Sequence, residues 1–102
     1  MSDLYEKTPA EQAITVSNLN RQAKTLLEQG LARLWVEGEM SNIARPASGH
    51  VYFSLKDSGA QVRAAFFRQR QRGPTIRFKD GDQVLVFGKV SLYEARGDYQ
   101  LI

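Results

Sequence analysis

A chain of 102 residues that is 42% hydrophobic can bury one modest core, which favours a single domain and excludes two. It contains no cysteine, so disulfide frameworks and thiolate metal sites are excluded. The net charge is +3, and from Gln61 to Lys79 six bases occur without one acid, as in a solvated face or a polyanion-binding surface. No apolar run reaches the length of a signal segment or a membrane span, so we expect a soluble, cytoplasmic protein.

The first residues are polar and mixed in charge, and they predict a flexible N-terminal arm over residues 1–13. A helix is then predicted from Ser17, a suitable N-cap, to Gly30, a suitable stop. Its apolar positions, at helical spacing, are Leu19, Ala23, Leu26 and Leu27. We expect residues 14–102 to form one domain that begins with this helix.

After Gly30 the hydrophobic period changes to two, which predicts strands. The first is "LWVEGEM" (34–40), with Gly38 as a bulge or bend and with Trp35 packed under the helix. The segments "HVYFSLK" (50–56) and "QVRAAFF" (61–67) alternate cleanly across the turn "DSGA" (57–60), so they predict a hairpin. If Phe66 enters the core, Phe67 must point to the opposite face.

The segment "RQRQRGPTIRFKDGD" (68–82) breaks the alternation and predicts a loop with, at most, a short helical turn. A long strand, "QVLVFGKVSLY" (83–93), follows, then the turn "EARGD" (94–98) and the beginning of a strand, "YQLI". Because apolar strands seldom stop abruptly, we expect this chain to be the front piece of a longer protein.

Five strands with a long connection between the third and the fourth predict a mainly β fold, a five-stranded Greek-key barrel of the OB type preceded by one N-terminal α-helix. An SH3-like barrel is the alternative. In the OB architecture, strands two and three and two neighbouring loops bind nucleic acids and oligosaccharides. The residues that this face and these loops would carry are Arg45, His50, Tyr52, Lys56, Arg63, Phe67, Arg68, Arg70, Tyr93 and Arg96.

Aromatic rings among cations suit single-stranded nucleic acid, because each base offers a face for stacking and each nucleotide a phosphate for pairing. This composition indicates that Phe67 points outward so that a base can stack on it. Two other interpretations stay open. Phe67 can lie beneath the 68–82 loop or another part of a longer chain, and Tyr52 can be an ordinary cross-strand partner.

Catalytic chemistry has little support in the sequence. His50 is the only histidine, and sequence proximity to a serine does not make a catalytic triad. Glu37 and Glu39 could hold a hard cation with Asp57, as in a metal-dependent nuclease, but acids on the solvent side of a strand are commonplace. No glycine-rich phosphate loop or zinc ligand set occurs. We therefore expect no catalytic residue, metal or cofactor in this chain.

Four strings resemble the N-terminal OB domain of the bacterial exodeoxyribonuclease VII large subunit over most of the chain, from about Thr15 to Ile102. They are "LWVEGEMSN", "SGHVYFSLKD", "AQVRAAFFR" and "GDQVLVFGKVSLYEARGDYQL". The positions that match the family pattern are Gly49, His50, Tyr52, Phe53, Leu55, Lys56, Asp57, Phe67, Arg68, Tyr93, Arg96, Gly97, Tyr99 and Gln100. Val51 departs from the pattern, since family members often have a bulkier residue after the histidine.

The resemblance implies a parent enzyme that hydrolyses single-stranded DNA from both ends to oligonucleotides, without an added metal. It implies that this domain binds the DNA and that the hydrolytic residues belong to a later domain. The implied partners are single-stranded DNA, the remainder of the large subunit and the small subunit, which is not expected to bind through this domain. Interaction or self-association of the domain within the same enzyme, and RNA binding, remain alternative functions.

Overall fold

The structure of the protein is a computed structural model that describes residues 8–71 and 77–102. Residues 1–7 of the predicted arm and residues 72–76 of the predicted loop lie outside the described residues. The elements are α1 (Pro9–Gln12), α2 (Val16–Gly30), β1 (Leu34–Ala44), β2 (Val51–Lys56), β3 (Gln61–Phe66), a 3-10 turn (Arg68–Arg70), β4 (Gln83–Gly88), β5 (Val90–Tyr93) and β6 (Asp98–Leu101). The predicted arm thus contains a helical turn, and the predicted loop begins with one.

The strands form one sheet in the order β4-β1-β2-β3-β6-β5, in which only β3 and β6 run parallel. The predicted long strand 83–93 is divided at Lys89, because its partner changes there. Gly88 pairs with Leu34 of β1, whereas Val90 pairs with Leu101 of β6. The mainly β fold with one long helix is therefore confirmed, but over residues 8–71 and 77–102 the sheet has six strands and is open rather than a closed five-stranded barrel.

The β2–β3 hairpin has the predicted alternation. Phe53 pairs with Ala64 and Leu55 with Val62, and all four side chains face the apolar interior. The buried apolar side chains that form this core are Met40, Phe53, Leu55, Ala64 and Leu101. Phe66 lies on the same apolar face, as the alternation predicts, but its side chain remains 37% exposed. Phe66 is the last residue of β3, and its side chain lines an apolar cleft of 490 Å³.

The turn of this hairpin is fixed by Asp57. Its carboxylate oxygen Oδ1 accepts hydrogen bonds from the backbone N–H groups of Gly59 (2.8 Å) and Ala60 (2.9 Å). The backbone N–H of Asp57 donates to the carbonyl oxygen of Ala60 at 3.0 Å. An aspartate that bonds its own following backbone in this way defines the turn and hence the register of the two strands.

β1 pairs with two different strands along its length. Residues up to Glu39 pair with β4, and residues from Glu39 onward pair with β2. Of the predicted bulge or bend at Gly38, the bulge is wrong, because Gly38 pairs regularly with Val84 and the register shifts between Ser41 and Ala44 instead. A glycine is still required at position 38, since a Cβ atom there would lie 2.7 Å from Cγ of the buried Leu55.

Helix α2 begins after Thr15, whose hydroxyl accepts from the N–H of Asn18 at 3.0 Å, and not at the predicted cap Ser17. It also includes Gly30, the predicted stop. Polar residues at four-residue spacing attach it to β5 and the following turn. The contacts are Asn20 Nδ2 to the Glu94 carbonyl (2.9 Å), Lys24 to the Glu94 carboxylate (3.4 Å) and Ser91 Oγ to the Glu28 carboxylate (2.7 Å).

This attachment leaves much of α2 in solvent, and none of its residues is buried. Trp35 is 67% exposed, so the prediction that the helix covers it is wrong. The radius of gyration is 18.4 Å, compared with about 13 Å for a compact domain of this length. Within the two described ranges, no helix has the length and apolar character that crossing a membrane requires.

Candidate nucleic-acid interface

Three aromatic side chains gather at the end of the hairpin that is remote from its turn. The His50 ring lies edge-on to Phe67, with 5.3 Å between ring centroids, and edge-on to Tyr52 at 6.2 Å. Phe67 directly follows β3 and keeps an extended backbone, so its side chain points to the face opposite Phe66, as predicted. All three side chains are half-buried. Phe67 therefore packs edge-on against the His50 ring, and part of its side chain remains exposed to solvent.

Hydrogen bonds fix the orientation of this aromatic trio (His50, Tyr52 and Phe67). His50 Nδ1 accepts a hydrogen bond from the backbone N–H of Arg68 at 2.9 Å, so the neutral ring carries its proton on Nε2. Gln71 Nε2 donates to the carbonyl oxygens of Gly49 (2.8 Å) and Phe66 (3.0 Å), which ties the start of β2 to the end of β3. Gln71 was not among the predicted site residues, because a surface glutamine in a polar run carries no distinguishing signal.

The side chain of Arg68 lies against Gly49. Gly49 has a positive φ of 90°, and a Cβ atom there would lie 3.0 Å from Cδ of Arg68. Glycine thus allows both the turn into β2 and the close passage of the arginine stem. Among residues 8–71 and 77–102, the guanidinium of Arg68 has no carboxylate within ion-pair distance. It is available to an anion next to the aromatic trio.

Arg63 lies in the middle of the same outward face. Its Nη1 donates to Ser54 Oγ at 2.8 Å, and the two residues pair across β2 and β3. Ser54 and Ala65 are buried although they alternate outward, so small side chains form the floor of this face between larger neighbours. Six paired residues span about 17–20 Å. The face is long enough for several nucleotides.

Three other predicted residues, Lys56, Tyr93 and Arg96, lie at the turn end of the hairpin, away from the aromatic trio. Arg45 instead follows Ala44, which pairs with Tyr52. Lys56, at the turn end of β2, pairs with Glu39 at 3.6 Å, an exposed ion pair of small energetic value. Tyr93 pairs with Asp98 at the start of β6, and the parallel register with β3 places this pair and the turn that contains Arg96 at the same turn end. The Arg45 guanidinium donates to the carbonyl oxygen of Phe78.

The alternative predicted from the sequence is a metal site formed by Glu37, Glu39 and Asp57. No group of three histidine or acidic side chains in the described part of the chain is arranged so that it could hold a metal ion. Of the three acids considered, Glu39 pairs with Lys56, and the Asp57 carboxylate bonds to its own turn. These two carboxylates have structural roles.

A second cleft, of 320 Å³, adjoins the aromatic trio at Phe67. Its lining residues are Arg33, Ala65, Phe66, Phe67, Arg70, Phe87, Lys89 and Ile102. Arg70 was predicted as a site residue, but Arg33 and Lys89 were not, because they are isolated in the sequence. Arg33 precedes Leu34, and Lys89 follows Gly88. Leu34 and Gly88 pair with each other, so only knowledge of this strand pairing could have identified the two cations.

The chain was compared with known proteins. It is 63% identical over 91 residues to the exodeoxyribonuclease 7 large subunit of Pseudomonas savastanoi pv. phaseolicola, a match that covers 89% of this chain and 20% of that protein. It is 60% identical over 103 residues to the same subunit of Pseudomonas putida, with 100% and 22% covered. This chain thus spans about a fifth of the length of these relatives, and the resemblance noted from the sequence is confirmed.

The profile of the family described as "OB-fold nucleic acid binding domain" matches residues 14–102. That range contains the whole sheet, the aromatic trio and helix α2. The open six-stranded order reflects the change of partner at Lys89, and the long strand that it divides was predicted as one piece. This chain belongs to the family of OB-fold nucleic acid binding domains.

Proposed function

We propose that this domain binds single-stranded DNA on the outward face of the β2–β3 hairpin and presents it to a catalytic domain elsewhere in a longer protein. The observation that carries the proposal is the aromatic trio, in which Phe67 keeps open ring surface. The guanidinium of Arg68 lies beside it and has no ion pair within the described residues. Stacking on such rings, with cations along the backbone, is how single-stranded nucleic acids are bound without sequence preference.

The preference for DNA over RNA rests on the relatives, which are named exodeoxyribonuclease 7 large subunits. Stacking alone does not separate the two sugars. In this proposal, the domain supplies binding while the remainder of the large subunit supplies hydrolysis. The small subunit assembles with that remainder, so it is a partner of the whole protein and not of this face.

Binding of single-stranded DNA is expected to weaken strongly with salt. If the face pairs with about three to five phosphates, log affinity should fall against log salt concentration with a slope of roughly −2 to −3.5. Fluorescence anisotropy of a labelled oligothymidylate over a series of salt concentrations measures this slope. The RNA counterpart and a duplex of the same length serve as comparisons. A slope near zero, or tighter binding of the duplex than of the single strand, would contradict the proposal that this face binds single-stranded DNA.

Protein interaction, including self-association, is the second candidate function. Outward side chains of β1 and β4 form an apolar patch (Trp35, Leu85 and Phe87), with Trp35 and Phe87 in ring contact at 5.1 Å. Their exposed fractions are 67%, 65% and 51%. Exposed apolar surface that is contiguous marks interaction sites more often than isolated residues do.

Self-association through this patch predicts a sedimentation coefficient that rises with protein concentration. Trp35 is the only tryptophan, so its fluorescence should shift to the blue over the same range of concentration. Leu85→Ser should abolish both changes. Constant monomer behaviour with an unshifted spectrum would rule out self-association.

A further inference from the structure

We propose that the cleft beside Phe67 is a second, phosphate-binding part of the interface, in which Arg33, Arg70 and Lys89 hold a backbone phosphate of the bound strand. The inference rests on the proposed function, because it names how the strand continues once a base has stacked on Phe67. The strand would leave the hairpin face at Phe67 and turn toward the junction of β4 and β5.

The charge of the cleft is the first argument. Its three cations come from three separate parts of the chain, and among the described residues no acidic side chain lines it. Within the part of the chain that the structure describes, none of the three side chains has an ion pair or a hydrogen bond. Cations that converge without a counter-charge repel one another, and an anion placed between them relieves that repulsion.

The backbone that carries these cations is held in place, which is the second argument. Lys89 exchanges backbone hydrogen bonds with Ile102, at 3.0 and 2.8 Å. Arg33 immediately precedes the Leu34–Gly88 pair, so the sheet register brings it close to Lys89. The N–H of Arg70 donates to the carbonyl oxygen of Phe67 at 2.9 Å. The backbone positions from which the three cations extend are therefore fixed by the sheet and by the 3-10 turn.

The walls of the cleft indicate which kind of anion it suits. Phe66, Phe67 and Phe87 line it together with the cations. A nucleotide unit combines an anionic phosphate with an apolar base and sugar, so it can satisfy both kinds of wall, whereas a small inorganic anion uses only the cations. Phe67 contacts His50 on one side and lines the cleft on the other. The two parts of the interface are thus continuous through this ring.

The test compares the double variant Arg33→Gln/Lys89→Gln with the wild type in oligothymidylate binding. Because the three cations share one phosphate, the loss of that contact should reduce the magnitude of the salt slope by up to about 0.7. The control is Arg21→Gln/Lys24→Gln on α2, which removes the same charge from two residues that do not line the cleft. Arg21 bonds to Asn18, and Lys24 pairs with Glu94. The control should keep the wild-type slope.

A second measurement identifies the ligand group. Oligonucleotides that carry one neutral methylphosphonate linkage, moved along the strand, should bind the wild type more weakly when that linkage occupies the cleft. The double variant should be insensitive at that linkage alone. Inorganic phosphate at millimolar concentration should compete poorly, whereas strong competition would indicate a site for the free anion.

The outcomes separate the two proposals. If the wild type binds DNA, Phe67→Ala weakens it and the double variant keeps the wild-type slope, the cleft is not part of the interface and the proposed function stands. If both double variants flatten the slope equally, the effect is one of net charge, and the cleft proposal is overturned. If the wild type does not bind single-stranded DNA, the proposed function falls, and the cleft proposal with it.

Discussion

Phe67→Ala is expected to weaken the binding of single-stranded DNA by about 1–3 kcal/mol, the usual value of one base stacked on an aromatic ring. This corresponds to roughly a 5- to 150-fold increase in Kd. The ring lies edge-on to His50 and lines the adjoining cleft, so its removal affects both parts of the proposed interface. Anisotropy titration at a fixed, low salt concentration measures the change.

Two further variants show whether the loss comes from stacking. Phe67→Tyr keeps the ring and should bind within a few-fold of the wild type. Arg68→Ala keeps Phe67 and should mainly reduce the magnitude of the salt slope, by about 0.7 for one lost phosphate contact. If Phe67→Ala binds as tightly as the wild type while its thermal unfolding is unchanged, Phe67 is not a stacking residue. That result would contradict the proposal that the outward face of the hairpin binds DNA.

Leu55→Ala is expected to lower the free energy of unfolding by about 2–5 kcal/mol, because Leu55 is 2% exposed in the core. Gly38→Ala should lower it by about 1–3 kcal/mol, because the new Cβ atom would lie 2.7 Å from Cγ of Leu55. In the double variant that Cγ atom is gone, so the combined loss should be smaller than the sum. Urea unfolding followed by circular dichroism measures all three values.

Gly59→Ala is the matched control for the glycine substitution. A Cβ atom there would meet only Oδ1 of Asp57, at the ordinary contact distance of 3.8 Å. Its unfolding free energy should stay within about 0.5 kcal/mol of the wild type. Strict additivity of Gly38→Ala and Leu55→Ala would show that the cost at position 38 has another origin than this close approach.

Period-two alternation was a sufficient guide to the hairpin, because each strand has one buried and one outward face and a turn of defined length. The outward direction of Phe67 and the cross-strand partner of Phe53 both follow from it. The alternation of apolar and polar residues does not indicate which other strand a given segment pairs with. The break at Lys89 arises from a change of partner between β1 and β6, and this depends on residues remote in sequence.

The amphipathic pattern of α2 had the same limitation. It indicated a helix, but it did not indicate what the helix packs against. The observed attachment to β5 adds polar contacts of Asn20, Lys24 and Glu28 to the half-buried Ala23 and Leu27, whereas Leu19 and Leu26 of the predicted stripe stay exposed. The basic run in the sequence led to Arg68 and Arg70. Arg33 and Lys89 could not be found in this way, since only the β1–β4 register brings them together.

The short turn at Asp57 has a consequence for how this domain tolerates changes in length. Adding or deleting one residue between positions 57 and 60 would shift β3 by one place against β2 and reverse the side of the sheet that each of its residues meets. Phe66 would then stand beside His50, and Phe67 would turn toward the apolar cleft. A turn at the far end of the hairpin thus determines which of two adjacent phenylalanines lies beside His50.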